Sequence, residues 1–239
     1  MSTSAGQARF TWLGHSTVKV TSPGGKKILI DPWVMNNPTT PAEHKNIDQL
    51  DLMLITHGHF DHIGDAVDIA KRTKPQVVCI FETGHWLQGK GVENTIAINK
   101  GGTVTIDGIT ITMTHAIHSC GITDGDQIVY GGEAAGYVVR LEDGFTFYHS
   151  GDTALFGDMR LIGELYRPDL AMLPIGDYYT MDPRQAARAV EFLGVKRVLP
   201  MHYGAFPILT GTPAALRDAL RQSPGESVEI VEVEPGGTF

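Results

Sequence analysis

The sequence predicts an α+β fold, a four-layer αββα sandwich in which two mostly antiparallel sheets pack face to face and helices cover the outer faces. Three observations predict it. Short β-branched runs bounded by Gly, Pro and Asp recur along the chain, they fall into two blocks, and each block is followed by helical segments. At 239 residues the chain is long enough for one such core, so 1–239 is expected to form a single domain.

In the first block the runs at 10–14, 17–22, 26–31, 50–56 and 76–81 are expected strands. Gly24-Gly25 turns the second into the third, and Asp107-Gly108 joins TVTI to ITITMT. Between 64 and 74, Ala66, Ile69 and Ala70 stand at helical spacing. The second block opens with a hairpin, AGYVVRLEDGFTFYHSGD, turned at Asp143-Gly144, and continues with a helix around 158–166 and a strand LAMLPIG. The strongest helix follows: Asp182 as N-cap, Pro183 at the first turn, an apolar stripe of Ala186, Ala189, Val190 and Leu193, and Gly194 as terminator. Strand KRVLPM, helix TPAALRDALRQ and strand SVEIVEVE complete the chain, while 35–47 and 119–135 are expected as irregular, site-lining loops.

Composition narrows the function. Apolar residues at 42% against 19% charged can offset chain entropy, so the chain is not disordered. A net charge of −8 argues against nucleic acid or anionic lipid as partner and for a small-molecule substrate. No apolar run is long enough to insert in a membrane, and MSTSAGQARF lacks the apolar stretch of a signal peptide, which points to the cytoplasm. Cys79 and Cys120 are too few and too far apart for a disulfide framework or a thiolate metal site.

The chemistry concentrates after the apolar run LDLMLIT, where His57, His59, Asp61 and His62 put four potential metal ligands into six residues. His57 and His59, at alternate positions, can face one point; Asp61 and His62, entering a helix, can face a second point nearby. That spacing suits two neighbouring cations in one cleft. No G-x-S-x-G elbow or Gly-rich phosphate loop competes with it.

This H-x-H-x-D-H stretch resembles the signature of the metallo-β-lactamase superfamily. Later landmarks follow in order: HAIHSCG, FYHSGDT and VLPMHYG. With WLGHST, LIDPW, AGYVVR, SGDTALFGDM and LAMLPIGDYYTM, the nearest likeness is to small metal-dependent hydrolases similar to L-ascorbate-6-phosphate lactonase, over essentially the whole chain. The resemblance implies one metal on His57, His59 and His118, another on Asp61, His62 and His202, and Asp152 bridging them. Asp61 and Asp152 are the carboxylates it ties to catalysis. All seven ligands are imidazole or carboxylate, which suits two divalent ions, zinc first, with manganese, iron or nickel compatible. Such a pair lowers the pKa of a shared water, and the hydroxide so supplied would hydrolyse a lactone, phosphoester or related ester. The alternative is a non-catalytic metal-binding or regulatory module. Related lactonase-like proteins assemble, so a homo-oligomer is the implied state.

Three further residues are candidates for substrate contact or for orienting ligands: His15 in LGHST, His149 three residues before Asp152, and Asp177 in PIGDYYT. Between His115 and His118 the alternation of Ile109, Ile111 and Met113 places His115 on the interior face of its strand, as a packed core residue. His118, beyond the alternation, is the expected ligand.

Overall fold

The computed structural model describes residues 6–222 and 227–239; the first five residues of MSTSAGQARF lie outside them. The first sheet is built from β1 (Arg9–Trp12), β2 (Val18–Thr21), β3 (Lys27–Ile30), β4 (Leu52–Leu54), β5 (Gln76–Ile80) and β6 (Thr95–Ile98), paired in that order. Helices α1 (Phe60–Ile63) and α2 (Ala66–Thr73) lie between β4 and β5, and α3 (Phe81–Gly89) lies between β5 and β6.

The second sheet uses β7 (Thr103–Ile106), β8 (Ile109–His115), β11 (Ala135–Arg140), β12 (Thr146–His149), β13 (Leu170–Pro174), β14 (Arg197–Met201) and β15 (Glu229–Ile230), ordered β15-β14-β13-β12-β11-β8-β7. A separate ribbon, β9 (Gly121–Asp124) with β10 (Gln127–Tyr130), stands apart from both sheets. Helices α4 (Met159–Tyr166), α5 (Pro183–Leu193) and α6 (Pro213–Arg221) follow β12, β13 and β14.

Period-two alternation sorts the side chains into three apolar interfaces, as four layers require. Leu52, Leu54, Val78 and Ile80 of the first sheet meet Ile111, Met113, Tyr137, Phe147 and Leu199 of the second. Their neighbours Met53, Ile55, Val77 and Cys79 point outward onto Ile63, Ile69, Ala70 and Leu87. On the far side Tyr148, Ala171, Leu173 and Val198 receive Ile162, Ala186, Val190 and Leu193. Strands covered on both faces have no polar side to show, which is why QVVCI and LAMLP are nearly unbroken apolar runs.

The sandwich is the expected one, but its sheets are mixed and not mostly antiparallel. Pairing is antiparallel from β1 to β3 and from β7 through β8 and β11 to β12. It is parallel from β3 to β6 and from β12 to β15. Parallel neighbours need a crossover, and every parallel connection except the one from β3 to β4 carries an α-helix. The helices visible in the sequence therefore announced parallel pairing. Three more differences are local: α3 and β6 occupy a stretch not read as structured, the 119–135 loop contains the β9–β10 ribbon, and the final strand is only Glu229–Ile230. The strongest helix is as expected, with the Asp182 carboxylate accepting from the Gln185 N–H at 2.7 Å and Gly194 ending it at φ 64°.

A buried side-chain hydroxyl ties the two sheets together across the central core. The Tyr137 hydroxyl on β11 donates to the carbonyls of Ile55 and Val78 in the other sheet, at 2.8 and 3.2 Å. Replacing Tyr137 by Phe keeps the ring and removes the donor. The expected loss is about 1–3 kcal/mol of unfolding free energy, measured by denaturant titration, with far-ultraviolet dichroism unchanged.

Candidate metal centre

The strands that feed the site all end at one edge of the sandwich. β1 leads to His15, β3 to Asp31, β4 to the His57–His62 stretch, β8 to His118, β12 to Asp152 and β14 to His202. An open α/β sheet presents its crevice beyond the carboxyl ends of its parallel strands, and the crevice lies there in this protein. A wider depression of 840 Å³, lined by Phe145, Arg167 and Arg197 at the amino ends of β12 to β14, carries none of the metal-ligating clusters found among the described residues.

All seven residues of the expected ligand set converge. One Asp152 oxygen, Oδ2, lies 2.8 Å from His202 Nε2, 3.2 Å from His62 Nε2, 3.6 Å from His118 Nε2 and 3.9 Å from His57 Nε2. His59 Nδ1 is 3.0 Å from His57 Nε2 and 3.3 Å from His118 Nε2. The donor atoms fall into overlapping groups: His57, His59 and His118; His57, His62 and Asp152; and Asp61, His62 and His202 together with His15.

The residues fit bound cations on an observation independent of any resemblance. Asp152 Oδ1 is buried with no partner, and His62 Nε2 and His202 Nε2, though 3.2 and 2.8 Å from Asp152 Oδ2, are buried without the alignment a hydrogen bond needs, a costly arrangement for such atoms. Imidazole nitrogens facing one another and a carboxylate oxygen at these distances are what a cation reconciles.

Behind the ligands lies a residue that the sequence singled out only as part of LIDPW. Asp31 is fully buried; its Oδ1 accepts from the Thr56 N–H and its Oδ2 from the Thr56 hydroxyl, each at 2.8 Å. The same Oδ2 takes His62 Nδ1–H at 2.8 Å, which fixes the tautomer and aims Nε2 at the centre. Since the Thr56 hydroxyl donates to Asp31, it accepts from His57 Nδ1–H at 3.0 Å and orients that ring as well. The signal was a carboxylate at a strand end, overlooked because an Asp before Pro is an ordinary turn residue.

His15 has no exposed surface, and its Nε2 lies 2.9 Å from Asp61 Oδ2. Its ring lies 3.9 Å from that of His202, and its carbonyl accepts the His202 N–H. His149 does not touch Asp152. Its Nε2–H donates to the Ser16 carbonyl and its Nδ1 accepts the Gly151 N–H, so it braces the turn carrying Asp152. In that turn a side chain at Gly151 (φ 60°) would run into the Ala135 carbonyl and Thr56.

Asp177 is exposed in a left-handed turn (φ 65°), away from the ligand imidazoles it was expected to orient; Asp31 holds that place. His115 is a second departure. It is exposed at the end of β8, against Phe156 and 3.1 Å from Lys100 Nζ, because the strand outruns the core before its alternation stops. Cys79 is core, and Cys120 reaches the loop, its Sγ accepting the Gly58 N–H.

Burial lowers the pKa of His57, His59 and His118, leaving neutral imidazoles with lone pairs to give. His15 is pushed down to about 4, by burial and by His202. Burial opposes charge on His62 too, but Asp152 and Asp31 outweigh it and raise its pKa well above the ordinary value. Asp152 is held well below the carboxylate range, since His202 and His62 outweigh the burial that disfavours its charge.

Two sheets with helices outside and a histidine–aspartate cluster at the strand ends define a metal-dependent hydrolase of the metallo-β-lactamase fold. Residues 26–203 match the β-lactamase superfamily domain. The chain is 58% identical to a UPF0173 metal-dependent hydrolase of Koribacter versatilis, over 97% of both chains. It is 53% identical to one from Solibacter usitatus, over 95% of this chain and 96% of that one. Among solved structures, Igni18, a metallo hydrolase from Ignicoccus hospitalis, superposes with a TM-score of 0.84 at 37% identity, with 97% of each chain covered. The chain belongs to the UPF0173 family of metal-dependent hydrolases, within the β-lactamase superfamily.

Two outcomes follow from the site. In metal-free protein the proton on His62 competes with a cation for Nε2, so metal binding should release protons and weaken as pH falls below the raised His62 pKa. Calorimetry in buffers of different ionisation enthalpy reads the protons directly. Asp31→Asn removes the acceptor that orients His62 and should lower metal affinity about 10–100-fold in a competition titration with a chelator.

Proposed function

We propose that the chain, as one domain over 1–239, is a hydrolase of a lactone, phosphoester or related ester that uses two divalent cations. Zinc is the first expectation, with manganese, iron and nickel compatible with the donors. The observation that carries this is the convergence of four imidazole nitrogens on one Asp152 oxygen, with buried donor atoms that make no aligned hydrogen bond beside it. His57, His59 and His118 would hold one ion, Asp61, His62 and His202 the other, and Asp152 both. When bound, such a pair supplies a hydroxide nucleophile near neutral pH and offsets charge on the attacked group.

The chain's own groups do the positioning. Asp31 and Thr56 hold His62 and His57 in the tautomers that turn Nε2 inward. His15 restrains the Asp61 carboxylate, and His149 keeps the Asp152 turn in place. A 450 Å³ cleft, bounded by His59, His118, Asp152 and His202 on its inner side, adjoins these groups and has room for a small molecule. That adjoining cleft favours turnover over a metal-binding or regulatory module, which needs no room for substrate. The acidic balance favours a small substrate over nucleic acid, and no helix among the described residues is long and apolar enough to cross a membrane. A cytoplasmic homo-oligomer is the setting the composition and the lactonase-like resemblance support.

Elemental analysis of reconstituted protein should find two metal ions per chain; saturation at one would overturn the binuclear arrangement. With a panel of lactones and phosphoesters, Asp152→Ala should reduce turnover at least about a hundredfold while the fold survives. Parent-like turnover in that variant, or no turnover by metal-loaded parent on any ester, would sink the hydrolase assignment.

A further inference from the structure

We infer that the substrate is an uncharged ester or lactone carrying an apolar arm, not a phosphorylated or otherwise anionic one; this rests on the hydrolase assignment of the same cleft. The inner side of the cleft is polar and metal-ligating, but its outer wall is Phe60, Tyr179, Phe206 and Ile208. Phe60, Tyr179 and Ile208 remain 56, 56 and 41% exposed, large apolar surface left in water at the mouth of the site. Phe60 stands in the H-x-H-x-D-H stretch itself, between His59 and Asp61.

The wall is braced from behind. Trp33 stacks on Phe206 with centroids 5.7 Å apart and an interplanar angle of 19°, and Phe60 meets Trp33 edge-on at 6.0 Å. Trp33 also meets His15, the partner of Asp61, edge-on at 5.2 Å. Consecutive left-handed residues, Asp177 at φ 65° and Tyr178 at φ 57°, lead the chain to Tyr179; strain of this kind persists where the surroundings hold it.

The lining of the outer wall weighs against an anionic arm. The cations would be held on the inner side, at the ester carbonyl, and would offset Asp61 and Asp152 there; beyond their reach the outer wall gives an anionic arm no partner, because no Lys or Arg stands among the described residues lining the cleft. Anionic groups such as a terminal phosphate are held by guanidinium, ammonium or several N–H donors, and an anion taken from water without them is penalised. An alkyl or aryl arm instead gains by covering Phe206 and Ile208. In the hydrolysis, the oxygen of water bonds to the carbonyl carbon, the ester C–O bond breaks, and the leaving oxygen takes a proton from that water.

The test uses metal-loaded protein and three esters with one leaving group: 4-nitrophenyl acetate, 4-nitrophenyl hexanoate, and the hexanoate bearing a terminal phosphate. Hexanoate should exceed both others at least tenfold in kcat/KM. In Phe206→Ala, or in Ile208→Ser should the first variant not fold, the preference for hexanoate over acetate should shrink at least fivefold. Equal or better turnover of the phosphorylated ester, or no preference for hexanoate over acetate, overturns the proposal. Equilibrium dialysis with hexanamide and its terminally phosphorylated analogue separates the two assignments when no ester turns over. At least tenfold tighter binding of hexanamide then keeps the apolar site and ends the hydrolase reading, whereas equal or tighter binding of the phosphorylated amide overturns the apolar site.

Discussion

The metal centre depends on how one buried carboxylate is satisfied. Asp31 sits where β3 ends, with no exposed surface, and takes hydrogen bonds from the Thr56 N–H, the Thr56 hydroxyl and His62. Those bonds make the interior tolerable for Asp31, and in return Asp31 dictates which nitrogen of His62 faces the centre. Through the Thr56 hydroxyl the same carboxylate reaches His57. Two imidazoles from one short stretch, His57 before α1 and His62 within it, are thereby aimed by one group at the end of a neighbouring strand, before any ion is considered.

Around that contact the sandwich divides labour between its middle and its edge. The middle is apolar and close-packed, so strand positions are set by side-chain volume. The edge is polar and strained: His15, Asp31 and His202 all adopt positive φ, a region L-residues seldom occupy. A rigid middle lets unfavourable backbone persist at the edge. His202, bonded through its N–H to the His15 carbonyl, shows how the two sheets share that strain.

Much of this was legible in the sequence. The strands and helices could be placed from periodicity and caps, and His57, His59, Asp61, His62, Asp152 and His202 stand at strand ends in a recognisable order. Other features were hidden for physical reasons. Parallel pairing is a property of connections, not of any one strand, and β6 and α3 were obscured because TIAI is short and only partly buried and FETGHWLQG carries no clear apolar stripe. His115 misled because alternation predicts which side a residue faces, not where the core ends. Asp31 escaped because its role exists only once β3 lies beside β4. The cleft wall was equally invisible: Phe60 opens α1, Tyr179 and Phe206 come from two separate loops, and Trp33 behind them from a third, and only the folded sandwich brings them together.

The Tyr137 hydroxyl and the Ser16–His149 contact join residues 82 and 133 positions apart. A centre fastened by such distant contacts cannot assemble on a partly made chain. Loop closure over these separations has to be completed before long-range pairing is rewarded, which slows folding. Cations bound at such a centre would therefore meet an already closed scaffold and, binding the folded chain in preference to the unfolded one, would add to its stability. Metal availability during synthesis would govern how long the protein survives more than how fast it matures.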